Sequence, residues 1–338
     1  MEQTIEKTLV DSSDSMKGAS VGRTRRRELR GFDWRQRLWE GLIQVFLAFN
    51  GYLAVILIGL IFFFLFKEGI QALATIKPIQ WIGHKTLDFE GREIFAFIWQ
   101  PVSSSPKYSL LPLLSGSFLV ALPATLISTV IGIGCGIYLA ELASHRVREV
   151  LKPIVELLAG IPTVVIGFLA LSLLASVVQS LFHTTFRLNA FVGALGVSLV
   201  IIPVIASMTE DALRAVPNEL REASYGLGAT RWETLSKVIV PAGISGISAS
   251  VLLGMGRALG ETMIVLMATG NAALFTANIF SSVRTMTATI ASELGAVAQG
   301  SEQYYALFFV GSVLFTLTFV INLVAEIVVE RMRRRLKL

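Results

Sequence analysis

Residues 217–241 read PNELREASYGLGATRWETLSKVIVP, and long uncharged runs flank this charged stretch on both sides. A chain that only crosses a bilayer needs about 20 apolar residues for each crossing and no charged segment of this kind. The stretch holds charged residues, two glycines and the start signals of a second helix. Such a helix-turn-helix between apolar runs is typical of a surface that contacts another protein on one side of a membrane.

The composition predicts an all-α membrane protein. Of the 338 residues, 54% are hydrophobic and 16% are charged, whereas soluble domains carry about 25% charged residues. Six apolar runs are long enough to span a bilayer. They are expected to be helical, because the strands of a membrane β-barrel would show alternating apolar and polar residues. The predicted spans cover residues 41–66, 115–140, 157–182, 188–208, 238–269 and 303–325. They divide the chain into a first transmembrane helix and, over residues 113–330, a core with five more.

The positive charge is sorted between the two sides of the membrane. Of the 29 Lys and Arg residues, 21 lie in the two termini and in alternate loops, and 7 lie in the remaining loops. The positive-inside rule therefore places both termini and the 210–241 loop in the cytoplasm, and it places the long loop 67–112 outside. The basic tail, residues 1–40, shows no cleavable signal peptide, and its first 30 residues are predicted to be disordered. Residues 331–338 form a basic cytoplasmic C-terminus.

Residues 217–241 contain start and stop signals for two helices. Asn218 is a good helix cap, and two glutamates follow in the predicted first turn, where the helix dipole favours them. Gly226 and Gly228 are predicted to stop this helix. Residues 230–233, Thr-Arg-Trp-Glu, form a capping box that starts the next helix, which can continue into the fifth span. The two glycines are expected to act as a hinge between the surface helix and the span.

The same segment resembles the coupling loop of ABC-importer permeases, whose pattern is Glu-Ala-Ala, three residues, Gly, nine residues and Ile-x-Leu-Pro. The matching residues here are Glu222, Ala223, Ser224, Gly228 and Pro241. The resemblance implies that the short helix docks on a cytoplasmic ATPase and passes its motion to the membrane helices. The sequence has no G-x-x-x-x-G-K-[ST] motif, so the chain is not expected to be an enzyme, and the ATPase would be a separate polypeptide.

Arg257 and Glu261 are charged residues inside the fifth apolar run. A spacing of four residues places them on one helix face, where they can pair. Burying either charge alone would cost about 2.5 kcal/mol or more, so they are expected to face protein or an aqueous cavity. The pair is interpreted as part of a gate or translocation path, and the alternative is a structural ion pair that locks two helices.

The stretch Gly-Arg-Ala-Leu-Gly-Glu-Thr-Met, residues 256–263, resembles the PstC-type permease subunit of phosphate ABC importers, as do residues 158–165 and 210–217. The resemblance covers residue 40 to the C-terminus. It implies six helices with the type I ABC-importer permease fold, a multi-pass location in the bacterial inner membrane, and phosphate as substrate. It also implies a second permease subunit in a heterodimer, an ATPase dimer and an extracytoplasmic phosphate-binding protein.

Several alternatives stay open from the residues. A self-contained secondary transporter or channel would use Arg257 and Glu261 for ion coupling, but it would leave the 217–241 segment unexplained. A signalling or scaffold protein would explain that segment but not the intramembrane charges. The partner permease subunit and a sulfate or molybdate permease remain within the same class. No catalytic set, cofactor site, metal site or nucleic-acid partner is predicted, and the single cysteine, Cys135, is interpreted as a packing residue.

Overall fold

The computed structural model describes residues 34–87 and 93–335. The predicted disordered tail and residues 88–92 of the predicted outer loop lie outside this range. The chain divides into two units between Phe63 and Phe64, within the helix α1 (Trp34–Thr75). The described part of the first unit is the beginning of α1, which starts before the predicted residue 41. Its large apolar side chains are exposed, as expected of a helix in lipid.

The second unit is mostly helical. After α1 its helices are α2 (Pro78–Ile82), α3 (Leu111–Ile137), α4 (His145–Ala159), α5 (Thr163–Leu169), α6 (Ala175–Phe182), α7 (Ala190–Arg214), α8 (Asn218–Gly226), α9 (Arg231–Thr234), α10 (Val240–Gly260), α11 (Met263–Ala268), α12 (Met286–Glu293) and α13 (Glu302–Arg335). Three π-helical segments continue α3, α5 and α9: Tyr138–Leu142, Ala170–Leu174 and Leu235–Ile239. The helix α13 includes most of the predicted C-terminal tail.

Six helical stretches in the described part of the chain are long and apolar enough to span a membrane, as predicted. They are Trp39–Thr75, Leu111–Leu142, Thr163–Phe182, Ala190–Arg214, Arg231–Gly260 and Glu302–Arg331. The third begins later than predicted, because Pro162 has an extended backbone, with ψ 131°, and separates α4 from α5. The fifth ends at Gly260 and not at the predicted residue 269, because the backbone of Glu261 is extended and ends the helix.

The helix α7 lies at the centre of the core of this unit, and glycines on α3 let the two helices approach closely. A Cβ atom at Gly132 would lie 2.8 Å from the Cβ of Ile205, and one at Gly136 would lie 2.6 Å from the Cβ of Thr209. A side chain at either position would collide with α7, so these two glycines serve helix packing. Apolar side chains of α3, α5, α10, α11 and α12 complete the main core around α7.

The described part of the predicted outer loop, residues 67–87 and 93–112, is folded. It consists of the end of α1, the helix α2 and two short antiparallel hairpins, formed by β1 (His84–Leu87) with β2 (Glu93–Ala96) and by β3 (Trp99–Gln100) with β4 (Lys107–Tyr108). Trp81, Trp99 and Tyr108 are buried in a second apolar cluster. His84 is also buried, and its Nε2 accepts the Tyr108 N–H at 2.8 Å. Burial and the charge of Lys107 lower the pKa of His84, which favours this neutral acceptor.

Candidate functional site

Residues 217–241, the coupling segment, form two helices joined by a tight turn. The helix α8 ends at Gly226, and Gly228 has φ +85°, a left-handed conformation that suits glycine. The capping box is present: Glu233 N–H donates to the Thr230 hydroxyl, and the Thr230 N–H donates to the Glu233 carboxylate. From Arg231 the chain then continues without a break into the fifth span, as predicted.

The start of α8 differs from the prediction in two ways. Pro217 occupies the cap position, with an extended backbone and no side-chain hydrogen bond to the helix. Asn218 is the first helical residue, and its side chain instead accepts a hydrogen bond from Arg221 at 3.1 Å. Of the two glutamates, only Glu219 lies in the first turn. The start of the helix is therefore set by Pro217, whose ring fixes φ, and not by an asparagine cap.

Most of the predicted coupling residues lie on the outer surface of the segment. Glu222, Ala223, Gly228 and Pro241 are exposed. Large apolar side chains surround them on the same segment: Leu220, Tyr225, Leu227 and Trp232 are exposed to 43%, 45%, 91% and 68%. Isolated exposed apolar residues are normal, but a group on one charged segment is typical of a protein contact.

Ser224 is the exception among the predicted coupling residues. It is buried, and its hydroxyl is hydrogen-bonded to that of Thr234 at 2.9 Å. Its backbone carbonyl also accepts the Ala229 N–H at 3.2 Å. Ser224 therefore holds α8 against α9 from the inside, and its side chain does not belong to the exposed surface.

The inner side of the coupling segment packs on three spans. Leu235 and Ile239, in the π-helical segment after α9, are buried. They belong to one cluster with Leu213 in the last turn of α7, Val216 just beyond that turn, and Ile247 of α10. Partly buried residues from the end of α3 join this cluster. The π-helical segment directly precedes Pro241, whose missing N–H removes a helical hydrogen bond, so the local change of register accommodates the proline.

Glu261 breaks the fifth apolar run into two helices. Its backbone is extended, with ψ 135°, and its Oε1 accepts the N–H groups of Thr262, Met263 and Ile264 at 3.1, 3.1 and 3.4 Å. A carboxylate at this place satisfies free N–H groups and suits the helix dipole at the start of α11. The carbonyl oxygen of Glu261 in turn accepts the Thr287 hydroxyl at 2.6 Å, which links the break to α12.

The predicted pairing of Arg257 with Glu261 is therefore wrong. The four-residue spacing brings two side chains together only in a continuous helix, and the helix ends between these residues. Arg257 is exposed near the end of α10, and within residues 34–87 and 93–335 it has neither a hydrogen bond nor an ion pair. A Cβ atom at Gly256 would lie 3.1 Å from Asn322 Oδ1 of α13, whereas one at Gly260 would meet no neighbouring element of the described chain within 4 Å.

A cluster of ionic side chains between α4 and the end of α7 was not predicted. Glu210 is fully buried, and its carboxylate lies 2.7 Å from Arg148 Nε, 3.2 Å from Lys152 Nζ and 3.8 Å from Arg214. Burial alone would lower the pKa of Lys152, but hydrogen bonds to Asp211 and Glu210 outweigh it and raise that pKa. The only sequence signal is the four-residue spacing of Arg148 and Lys152 on the amphipathic helix α4.

A second unpredicted cluster surrounds Glu293 at the end of α12. Its carboxylate accepts hydrogen bonds from Trp99 Nε1 at 3.1 Å, Arg284 Nη1 at 2.8 Å and Gln303 Nε2 at 3.1 Å. The cluster ties the second hairpin to the segment before α12 and to α13. Among the described residues, no group of three or more His, Cys, Asp or Glu side chains could hold a metal ion.

Comparison with known proteins places these features in a family. The family described as "Binding-protein-dependent transport system inner membrane component" matches residues 132–334, which include the coupling segment and Arg257. The probable ABC transporter permease protein YqgH of Bacillus subtilis is 37% identical over 233 residues, which are 69% of this chain and 75% of that protein. The phosphate transport system permease protein PstC of Mesorhizobium japonicum is 34% identical over 302 residues, 84% of this chain and 88% of that protein.

Two solved structures share the fold. A bacterial ABC transporter involved in the import of the acidic polysaccharide alginate has a TM-score of 0.54 at 18% identity, covering 87% of this chain and 99% of that chain. An inward-facing conformation of the MetNI methionine ABC transporter has a TM-score of 0.52 at 18% identity, covering 66% and 97%. At this identity the likeness concerns the fold alone, and it confirms the predicted six-helix ABC-importer permease fold.

Proposed function

Because the chain belongs to the family of binding-protein-dependent transport system inner membrane components, we propose that it is the permease subunit of an ATP-driven importer that carries inorganic phosphate into the cytoplasm. The observation that carries this proposal is the likeness to a phosphate transport permease over 84% of the chain. The exposed coupling segment supports it, because such a surface suits a partner ATPase. The guanidinium of Arg257, which has no partner among the described residues, also supports it, because it suits an oxyanion.

The coupling segment is proposed to dock on a separate cytoplasmic ATPase dimer. Glu222, Ala223 and Gly228 supply small or polar surface, and Leu227 and Trp232 supply apolar area that a groove on the partner would bury. Pro241 marks the point where this surface joins the fifth span. The buried Ser224 supports the geometry of the turn from within. The orientation with both termini in the cytoplasm follows from the positive-inside rule and belongs to this proposal.

Arg257 and Glu261 are proposed to take different parts in translocation. An unpaired arginine is costly against lipid, so Arg257 is expected to face a water-filled path or a second permease subunit in a heterodimer. Its planar fork suits the tetrahedral oxygens of phosphate. Glu261 acts indirectly, since it caps α11 and thereby fixes where α10 ends and where Arg257 lies.

The remaining partners follow from the same proposal. An extracytoplasmic phosphate-binding protein would deliver the substrate to the face that carries the two hairpins and the Glu293 cluster. That face is folded and held by buried aromatic residues, as a docking surface requires. The positively charged termini would lie on the opposite, cytoplasmic side.

The test is uptake of radiolabelled phosphate into proteoliposomes that hold this chain with the second permease subunit, the ATPase and the binding protein. We expect uptake that requires ATP on the side of the coupling segment and that excess unlabelled sulfate or molybdate does not reduce. Vesicles that lack only this chain are the control. Uptake driven by a proton or sodium gradient without the ATPase would establish a secondary transporter, and strong competition by sulfate or molybdate would establish another oxyanion permease.

A further inference from the structure

Arg221 lies on the inner side of the coupling segment and joins three elements. Its Nη1 donates to the Val216 carbonyl at 2.5 Å and to Asn218 Oδ1 at 3.1 Å. Its Nη2 donates to the Leu213 carbonyl at 2.8 Å and to the Glu141 carboxylate at 2.7 Å. The side chains of Arg221 and Glu141 are exposed to only 16% and 14%, so water screens their ion pair weakly.

The contacts of Arg221 have a clear physical basis at the end of α7. The last four carbonyl groups of a helix lack partners within the helix and carry partial negative charge. Arg221 binds the carbonyl of Leu213 in the last turn of α7 and that of Val216 just beyond it. Of its other two partners, Asn218 lies on α8 itself, and Glu141 belongs to the π-helical segment that ends the second span. One guanidinium thus fastens α8 to the ends of both α3 and α7.

The turn after α8, which is the predicted hinge, is closed by several hydrogen bonds. Leu227 N–H donates to the Ala223 carbonyl at 3.1 Å, and Gly228 N–H donates to the Tyr225 carbonyl at 2.9 Å. The hydroxyl groups of Ser224 and Thr234 close the turn from inside. The Ser224–Thr234 bond therefore joins α8 to α9, while Arg221 joins α8 to the ends of α3 and α7.

We propose that Arg221, paired with Glu141, makes α8 move as one body with the cytoplasmic ends of α3 and α7. A displacement of α8 then reaches the second and fourth spans directly, in addition to reaching the fifth span along the chain. Arg221 is in this sense a positioning residue for coupling, and it rests on the proposed function, in which an ATPase displaces α8. Lysine cannot replace it, because an ammonium group has three donors and no planar fork for four acceptors.

The experiment uses the complete importer in proteoliposomes and measures phosphate uptake, ATP hydrolysis and co-purification of the ATPase. For Arg221→Lys and Glu141→Gln we expect the ATPase to remain bound and hydrolysis to continue. The number of phosphate ions carried per ATP hydrolysed should fall at least about fivefold, which is the effect of a coupling free energy at the lower end of the typical range. The control is Glu149→Gln, which removes the exposed pair with His145 on α4, outside the coupling segment, and should leave this ratio unchanged.

The outcomes separate this inference from the proposed function. Glu141→Gln is the decisive variant, because it leaves the carbonyl contacts of Arg221 in place and removes only the ion pair to α3. A normal ratio of phosphate to ATP in an assembled Glu141→Gln importer would overturn the link to α3. Loss of ATPase binding in both variants would make the pair part of the docking surface and would also overturn the inference. Absence of ATP-dependent phosphate uptake by the unmodified importer would instead overturn the proposed function itself.

Discussion

The buried carboxylate of Glu210 offers a quantitative test of how α4 is held to α7. Replacing it with Gln keeps the size of the side chain and removes the charge that faces Arg148 and Lys152. Breaking a buried ion pair from one side costs about 3–5 kcal/mol, because the other charge is left uncompensated. Here Arg148 and Lys152 remain exposed to 26% and 27%, and Lys152 keeps Asp211 at 3.2 Å. We therefore expect Glu210→Gln to lower the free energy of unfolding by about 2–3 kcal/mol.

The matched control is Glu149→Gln on the same helix α4. The pair of Glu149 with His145 is exposed to 65% and 82%, so its loss should change the free energy of unfolding by less than about 1 kcal/mol. The assay is equilibrium unfolding of the purified protein in detergent, followed by tryptophan fluorescence. Adding Arg148→Gln to Glu210→Gln should recover part of the loss, because it removes an uncompensated charge. Equal stability of the Glu210→Gln and Glu149→Gln proteins would refute the reasoning.

The other predictions concern the surfaces and the path. Ala223→Arg should abolish co-purification of the ATPase while the subunit still inserts, since it adds bulk and charge to an exposed contact surface; retained binding would contradict the docking role. Arg257→Gln should reduce phosphate uptake at least about tenfold with assembly intact, and Arg257→Lys should restore uptake only in part. Normal uptake by Arg257→Gln would remove Arg257 from the path. A cysteine at Val102, which is 79% exposed between β3 and β4, should react with an impermeant reagent from outside cells, and reaction only in inside-out vesicles would reverse the topology.

Local signals in the sequence predicted local structure well. The capping box at Thr230 and Glu233 and the left-handed Gly228 each depend on a few neighbouring residues, and both are present. The six spans could be predicted from hydrophobicity alone, because the thickness of the bilayer sets the length that an apolar helix needs to cross it. The family resemblance rests on residue types at fixed spacing, and the comparison with relatives confirms it.

Features that depend on competition between contacts could not be predicted. Glu261 could pair with Arg257 four residues earlier or cap three N–H groups after it, and hydrophobicity does not distinguish these choices. Asn218 is a good cap, but Pro217 before it already fixes the start of α8. The two nearest partners of Glu210, Arg148 and Lys152, lie on another helix about 60 residues earlier in the sequence, and only the tertiary structure brings them together. Short strands such as β1 carry too few residues for a periodic pattern to be visible.

If Arg257 lies in the translocation path as proposed, its separation from Glu261 changes what limits each transport cycle. With its Oε1 engaged at α11, Glu261 would have no part in attracting or displacing an anion, and the guanidinium of Arg257 has no counter-ion among the described residues. In a phosphate permease such a residue admits the anion readily and holds it, because there is no resident competitor to expel it. The anion must then leave because its surroundings change, through added water or withdrawal of the arginine. ATP hydrolysis would accordingly mainly drive the release of phosphate from Arg257. Tighter binding of phosphate at Arg257 would then lower the rate of import.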